Sequence, residues 1–295
     1  MAAVLFLPPG FYERTVMLKR TGRSRPALWL VALLVAGCST TAPYTGQGPH
    51  AQITRGHPNA LVDFLGNVFA LPIKLILFTW RVDDHEVPEE TEAYLVRYVD
   101  LPQSDTDGTH FSLNEYAPGR ALKRLTTNKK VAWPYRLLLG LPITLVVDVL
   151  LPGRVFAGLL GGDMYNPYTD TVSIYSSHPA ISLHEAGHVH DFNSRTYKGT
   201  YALIRLVPFV DLFQEFIATD EAITHLIDIG DQQQELDAYK VLYPAYGTYV
   251  GAYVPIPGVS IIGALIGHVL GRLKAKTRAE YYAQQGQPVP APASL

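Results

Sequence analysis

The chain reads as an α+β domain, and three observations predict it. Residues 171–175, Thr-Val-Ser-Ile-Tyr, alternate β-branched and aromatic side chains as a short strand does, directly after a turn signal at residues 166–170, Asn-Pro-Tyr-Thr-Asp. Helical patterns follow at about residues 179–193 and 211–229. Apolar stretches at residues 61–80, 137–151 and 252–271 add further helices to what is otherwise a small sheet. No internal repeat, phosphate-cradling glycine loop or nucleophile-elbow serine motif is present.

From the start of the chain, an apolar run at residues 26–37 is preceded by Lys19, Arg20, Arg23 and Arg25 and followed by Cys38. A basic region, a short apolar core and small residues before a cut are the parts of a secretory signal peptide, here residues 1–37, with Met17 as an alternative start. Val35-Ala36-Gly37-Cys38 resembles a bacterial lipobox. The resemblance implies lipidation of Cys38 as the mature N-terminus and, because Ser39 rather than aspartate follows, an outer-membrane anchor facing the periplasm. Cys38 is the one cysteine, so no disulfide can form within the chain. The first 37 residues hold five basic groups and one acid, which leaves 258 residues with 19 basic and 25 acidic groups, a net charge of −6. Such a balance excludes nucleic acid as a partner, because neutralising phosphates takes clustered Lys and Arg.

Residues 38–58, rich in Thr, Gly, Pro and Gln, read as a flexible tether to a domain at residues 59–280. The 61–80 stretch is interrupted by Asp63, Pro72 and Lys74, and the 137–151 stretch by Gly140, Pro142 and Asp148. Between them, Pro88, Glu89, Glu90 and Glu92 start a helix, with acids where the helix dipole favours them. Residues 114–119 form a turn. The stretch at 252–271 is uncharged and alone approaches spanning length, but Pro255 and Pro257 break its beginning. The helix that remains, residues 259–271, is about 20 Å long against a hydrocarbon core of about 30 Å. It reads as a buried helix or as a hairpin in the membrane interface, with Arg272, Lys274, Lys276 and Arg278 suited to anionic headgroups. Residues 281–295 read as a disordered tail.

The helix at 179–193 carries Leu183-His184-Glu185-Ala186-Gly187-His188-Val189, an H-E-x-x-H motif. His184 and His188 leave the same helix face one turn apart, as two ligands of one tetrahedral metal must. Glu185 lies beside that face, where a carboxylate reaches a metal-bound water without becoming a ligand, the place of a general base. Two carboxylates on the next helix compete for the third ligand position, Glu215 and Glu221. At about 100° per residue, Leu212, Phe213, Phe216, Ile223, Leu226 and Ile227 form one side, and Gln214, Glu221, His225 and Asp228 the opposite, solvated one. Glu215 falls at the flank of the apolar side, near Thr219, Ala222 and Leu226, where a carboxylate is costly without a cation. Glu215 is therefore the expected third ligand.

Strand, turn, H-E-x-x-H helix and a glutamate on a following helix resemble the zincin metallopeptidases, in particular the gluzincin group, over roughly residues 165–228. The resemblance implies a Zn²⁺ cofactor, peptide-bond hydrolysis of a peptide or protein substrate at the cell envelope, and an exposed sheet edge at residues 171–175 on which the substrate lies. It also implies an acid one turn beyond the glutamate, orienting a ligand histidine. This sequence departs from that pattern: Thr219 holds the one-turn position, Asp220 comes one residue later, and Asp191 is a further candidate. Tyr243, Tyr246, Tyr249 and His225 are unranked candidates for the transition-state donor. The rival reading is a lipid-anchored scaffold with a structural zinc site, closed by His178, His190 or Asp191 as a fourth ligand. A hydrolase acting on another bond is a third.

Overall fold

The computed structural model describes residues 50–156, 162–207 and 209–287 and the backbone of Thr41–Pro43, so Met17, the 26–37 run and Cys38 lie outside the described residues. It is α+β, built on a five-stranded mixed sheet. The strands are β1 (Thr41–Pro43), β2 (Ile53–Gly56), β3 (His110–Leu113), β4 (Met164–Asn166) and β5 (Thr171–Ile174), in the order β1-β2-β3-β5-β4. β2, β3 and β5 run parallel, and β1 and β4 pair antiparallel at the two edges. Two expectations change here. The strand at 171–175 is interior rather than an exposed edge, because the turn at 166–170 folds β4 back along it. The 38–58 stretch, read as a tether, contributes β1 and β2, held by the buried Ile53 opposite Phe111. A single apolar anchor in a polar segment leaves no periodicity to read.

Besides the single helical turn Gly153–Phe156, ten longer helices pack around the sheet among the described residues: α1 (Ala60–Phe69), α2 (Leu71–Leu77), α3 (Glu89–Val99), α4 (Pro118–Thr127), α5 (Trp133–Leu150), α6 (Pro179–Asn193), α7 (Lys198–Ile204), α8 (Val210–Asp228), α9 (Gln232–Ala252) and α10 (Val259–Gln284). Asn59 caps α1 by accepting from the Val62 N–H at 3.1 Å, and α3 opens after Pro88 with Glu89, Glu90 and Glu92 in its first turn. Gly140 and Pro142 do not end α5. Wider π turns at Arg136–Gly140 and Leu145–Leu150 flank the proline and absorb its missing N–H and the bulk of its ring. Among the described residues α5 is the single helix long and apolar enough to cross a membrane, while α1 and α2 pass that test as a pair bent by 53°. In the 252–271 stretch, which falls short of a span, residues 253–258 make the turn of a hairpin and residues 259–271 are helical, as the two prolines ahead of them lead one to expect.

That hairpin joins α9 to α10. Its helices meet backbone to backbone: a β-carbon at Gly263 would lie 2.0 Å from the Gly247 carbonyl oxygen, and one at Gly267 would lie 2.4 Å from that of Tyr243. α10 continues past Gly271 to Gln284, since Lys, Arg and Ala sustain a helix where apolarity ends. The last part is clamped: buried Glu235 of α9 accepts from Arg278 Nε at 2.6 Å and from the Tyr282 hydroxyl, so residues 281–284 of the expected tail are helical.

The core lies between the sheet and α6, around Phe111, Val172, Leu183, Val189 and Phe192. Gly263→Val should lower stability by roughly 1–3 kcal/mol, the cost of overpacking a closed contact. Thermal unfolding would show it as a fall in Tm, and an unchanged Tm would contradict the backbone packing of the hairpin.

Candidate metal centre

Two chain segments fix the start of α6. His85 N–H donates to the Tyr175 carbonyl at 2.8 Å, Ser177 N–H to that of Arg81 at 3.0 Å, and the Asp84 carboxylate accepts from Ser177 N–H at 2.9 Å. His178 then caps the helix, its Nδ1 accepting from Ala180 N–H at 3.2 Å, with Pro179 in the first turn. Apart from His190 and Asn193, every residue of α6 is buried, which explains the apolar and small residues between its polar ones.

The His184 and His188 rings project from one side of α6, with centroids 4.8 Å apart and planes at 84°. α8 crosses that side where α6 has no side chain, and a β-carbon at Gly187 would lie 3.0 Å from the Ala218 carbonyl oxygen. The close crossing brings Glu215 onto both rings. Its Oε2 lies 3.1 Å from His184 Nε2 and its Oε1 lies 3.3 Å from His188 Nε2. Thr219, one turn on, places Oγ1 3.3 Å from His184 Nδ1 and fixes the far edge of that ring.

Glu185 is also close: donor atoms of His184, Glu185 and His188 lie within 4.8 Å of one another. Two carboxylates thus flank the imidazole pair. Glu215 touches both Nε2 atoms and is 1% exposed, whereas Glu185 faces a cavity of about 420 Å³ that His184 and Thr219 also line. The first position suits a ligand and the second a base acting on a water in the cavity.

Burial alone would raise the Glu215 carboxyl, but His188 and His184 outweigh it and hold the group well below the carboxylate range. Burial would lower His184, and the bond and charge of Glu215 reverse this and raise it. For His188 burial prevails and the ring is lowered. Two imidazoles sharing one ionised carboxylate away from water form a donor set that fits a divalent cation of Zn²⁺ type.

The other expected residues divide. Thr219 is at the site. Asp191 is not, because its carboxylate is taken up by Arg195 Nε at 3.1 Å and the Tyr201 hydroxyl at 2.5 Å. Asp220 is exposed. Glu221 is half-buried rather than solvated, accepting from the Tyr98 hydroxyl at 2.8 Å, and His225 packs edge-on against the same ring. Part of the polar side of α8 therefore faces inward. Gln214 and His225 are buried and Phe213, Phe216 and Ile227 are exposed, against expectation, while Ile223 and Leu226 are buried and Asp228 is exposed as expected. Tyr246 and Tyr249 line the cavity, and Tyr243 packs against Tyr239. The charge of Glu215, then burial, pushes the Tyr249 phenol well up, so it keeps its proton.

The cavity also contains an acidic pair that the sequence did not flag. Asp163 accepts from the N–H groups of Tyr175 and Ser176 at 2.5 and 3.0 Å, and burial raises its carboxyl to about 6. Asp83, at φ 43°, is raised well above its ordinary value by burial and by Asp163. Isolated aspartates in turn-like segments carry no spacing signal, so only the fold reveals them. The fourth-ligand candidates are engaged elsewhere: His178 is the helix cap, held neutral by burial at about 3, and His190 Nδ1 lies 3.1 Å from the Ser104 carbonyl oxygen.

No protein-family model matches the chain, and no curated protein or solved structure is significantly similar to it. The site is accordingly read from its own chemistry.

Zinc content should fall in Glu215→Ala and stay near stoichiometric in Glu221→Ala, measured by elemental analysis of the purified protein. The opposite pattern would show that Glu215 is not the ligand. Thr219→Val, which removes the partner of His184 Nδ1, should weaken zinc binding by about 10-fold or more. Because Glu215 raises His184 above the ordinary 6.5, protons compete with metal from a higher pH than a free imidazole would allow. Affinity should be full above the raised value and fall by about tenfold per pH unit below it. A chelator competition series that stays flat to below pH 6.5 would contradict that sign.

Proposed function

We propose that the protein is a zinc-dependent hydrolase that cleaves peptide bonds at the cell envelope, exported and anchored through lipidated Cys38. The observation that carries the reading is Glu215 bridging His184 Nε2 and His188 Nε2 beside a cavity that Glu185 lines. His184, His188 and Glu215 would hold the ion, in the His-His-Glu pattern that resembles the gluzincins. When bound, zinc supplies a Lewis acid and brings the pKa of its water toward about 7.

The chain's own groups account for the rest. Glu185 takes the proton of the attacking water and delivers it to the leaving amine. Tyr249, which keeps its proton, and Tyr246 donate hydrogen bonds to the oxygen on which charge develops. Thr219 holds the His184 ring in the orientation that presents Nε2. β4 is the sheet edge next to the cavity, and Gly162 and Asp163, just before it, line the wall, so an extended peptide would lie there rather than on β5. The scaffold reading requires a fourth protein ligand, and His178, His190 and Asp191 all have other partners.

Glu185→Gln should keep zinc and lose hydrolysis by several orders of magnitude on any peptide that the unaltered protein cleaves in a library screen. Turnover retained in that variant would sink the mechanism, and zinc lost with it would make Glu185 a ligand instead.

A further inference from the structure

The amphipathicity of several helices is inverted for a protein surrounded by water. α10 buries Ala264, Gly267, His268 and Gly271 and exposes Ile262, Leu265, Ile266, Val269, Leu270 and Leu273. Small residues inside and branched aliphatic ones outside is the arrangement of helices solvated by lipid, where close backbone contact drives packing and the outer face needs no water. The first half of α8 also turns apolar side chains outward, exposing Phe213 and Phe216 while burying Gln214 and Glu215. Only 11% of α5 is buried. Each would be an aggregation surface if water were the solvent.

These faces adjoin. Phe78, at the end of α2, stacks on His268 of α10 with centroids 4.3 Å apart, and His268 Nε2 lies 2.8 Å from the Ile76 carbonyl oxygen. Phe209, before α8, stacks on Tyr253 at the end of α9 at 4.7 Å. Tyr135 of α5 packs against Gly199 of α7, which leads to exposed Leu203, Leu206 and Val207. Beyond the apolar half of α10 come exposed Arg272, Lys274 and Lys276, cations where an anionic headgroup layer would begin. Trp80, just beyond the end of α2, and Trp133, which opens α5, are 62% and 66% exposed, as indoles at a membrane interface are.

We infer that this surface docks into an anionic phospholipid bilayer and brings the mouth of the metal cavity against it. The cavity wall is made from the same helices: Ile73 of α2, Tyr249 and Ala252 of α9 and Ser260 of α10 line it, while Leu75, Val250 and Ile261 on those helices face outward. Resting on the hydrolytic reading above, this makes the substrate a polypeptide segment held at or within the membrane, not a soluble peptide. The lipid on Cys38 would tether the chain, and this face would orient it.

Tryptophan quenching tests the docking without any need for a substrate. In the full chain carrying Trp29→Phe, the remaining indoles are Trp80 and Trp133. Vesicles of phosphatidylethanolamine and phosphatidylglycerol brominated high in the acyl chains should remove most of the emission, and phosphatidylcholine vesicles should remove much less. Ile262→Asp with Ile266→Asp should abolish the quenching while zinc content stays unchanged, showing that the fold survives. Indoles left equally open to aqueous iodide with and without bound vesicles would overturn the proposal. So would indoles shielded in a lipid-free dimer, which would assign the face to a second copy of the chain. Quenching in a protein that holds no zinc would leave the docking standing and remove the hydrolytic reading instead.

Discussion

Glu215 lies between the Nε2 atoms of His184 and His188 in a place nearly closed to water, and much of the architecture serves to hold it there. A carboxylate in such surroundings is costly unless its charge is met. In the protein alone His184 meets part of it by taking up a proton more readily than a free imidazole. A divalent cation would meet it fully and release that proton, so folding, metal affinity and pH are linked through one carboxylate. The cap at His178, the bare crossing at Gly187 and the Thr219 contact with His184 each fix one coordinate of that arrangement.

The same arrangement explains the exposed aromatic residues of α8. A helix that delivers Glu215 inward also turns Gln214 and His225 inward, and it leaves Phe213 and Phe216 outside, where nothing in the described protein covers them. α10 shows the complementary case: its glycines allow α9 and α10 to touch along their backbones, so the bulky aliphatic side chains have only the outer face to occupy. The candidate metal centre and the apolar surface share helices.

The parts of the fold that were legible in the sequence are those with a local cause. α6 begins and ends where Pro179 and the end of the periodic pattern at Asn193 place it, and Glu215 is singled out by its angle on a helix wheel. The parts that were not legible depend on contacts distant in sequence. β4 is three residues long, and only its pairing with β5 shows that β5 is interior. Asp191 shares a helix face with His188, yet Arg195 and Tyr201 capture it. Hydrophobic periodicity placed Ile223, Leu226 and Asp228 of α8 correctly but misplaced Phe213, Phe216, Gln214 and His225, because it takes every apolar side chain to face the core. That the 137–151 stretch continues as one helix through Gly140 and Pro142 was not legible, because a π turn leaves no signature in sequence.

The central claim is that one zinc ion sits between two imidazoles and Glu215, with a fourth position open to the cavity. An anomalous difference map at the zinc edge, from crystals of the zinc-loaded protein, tests it most directly. The account predicts one peak within bonding distance of His184 Nε2, His188 Nε2 and the Glu215 carboxylate, with solvent as the fourth neighbour on the Glu185 side. A fourth protein ligand closing that position, or a peak that lies away from Glu215, would contradict it.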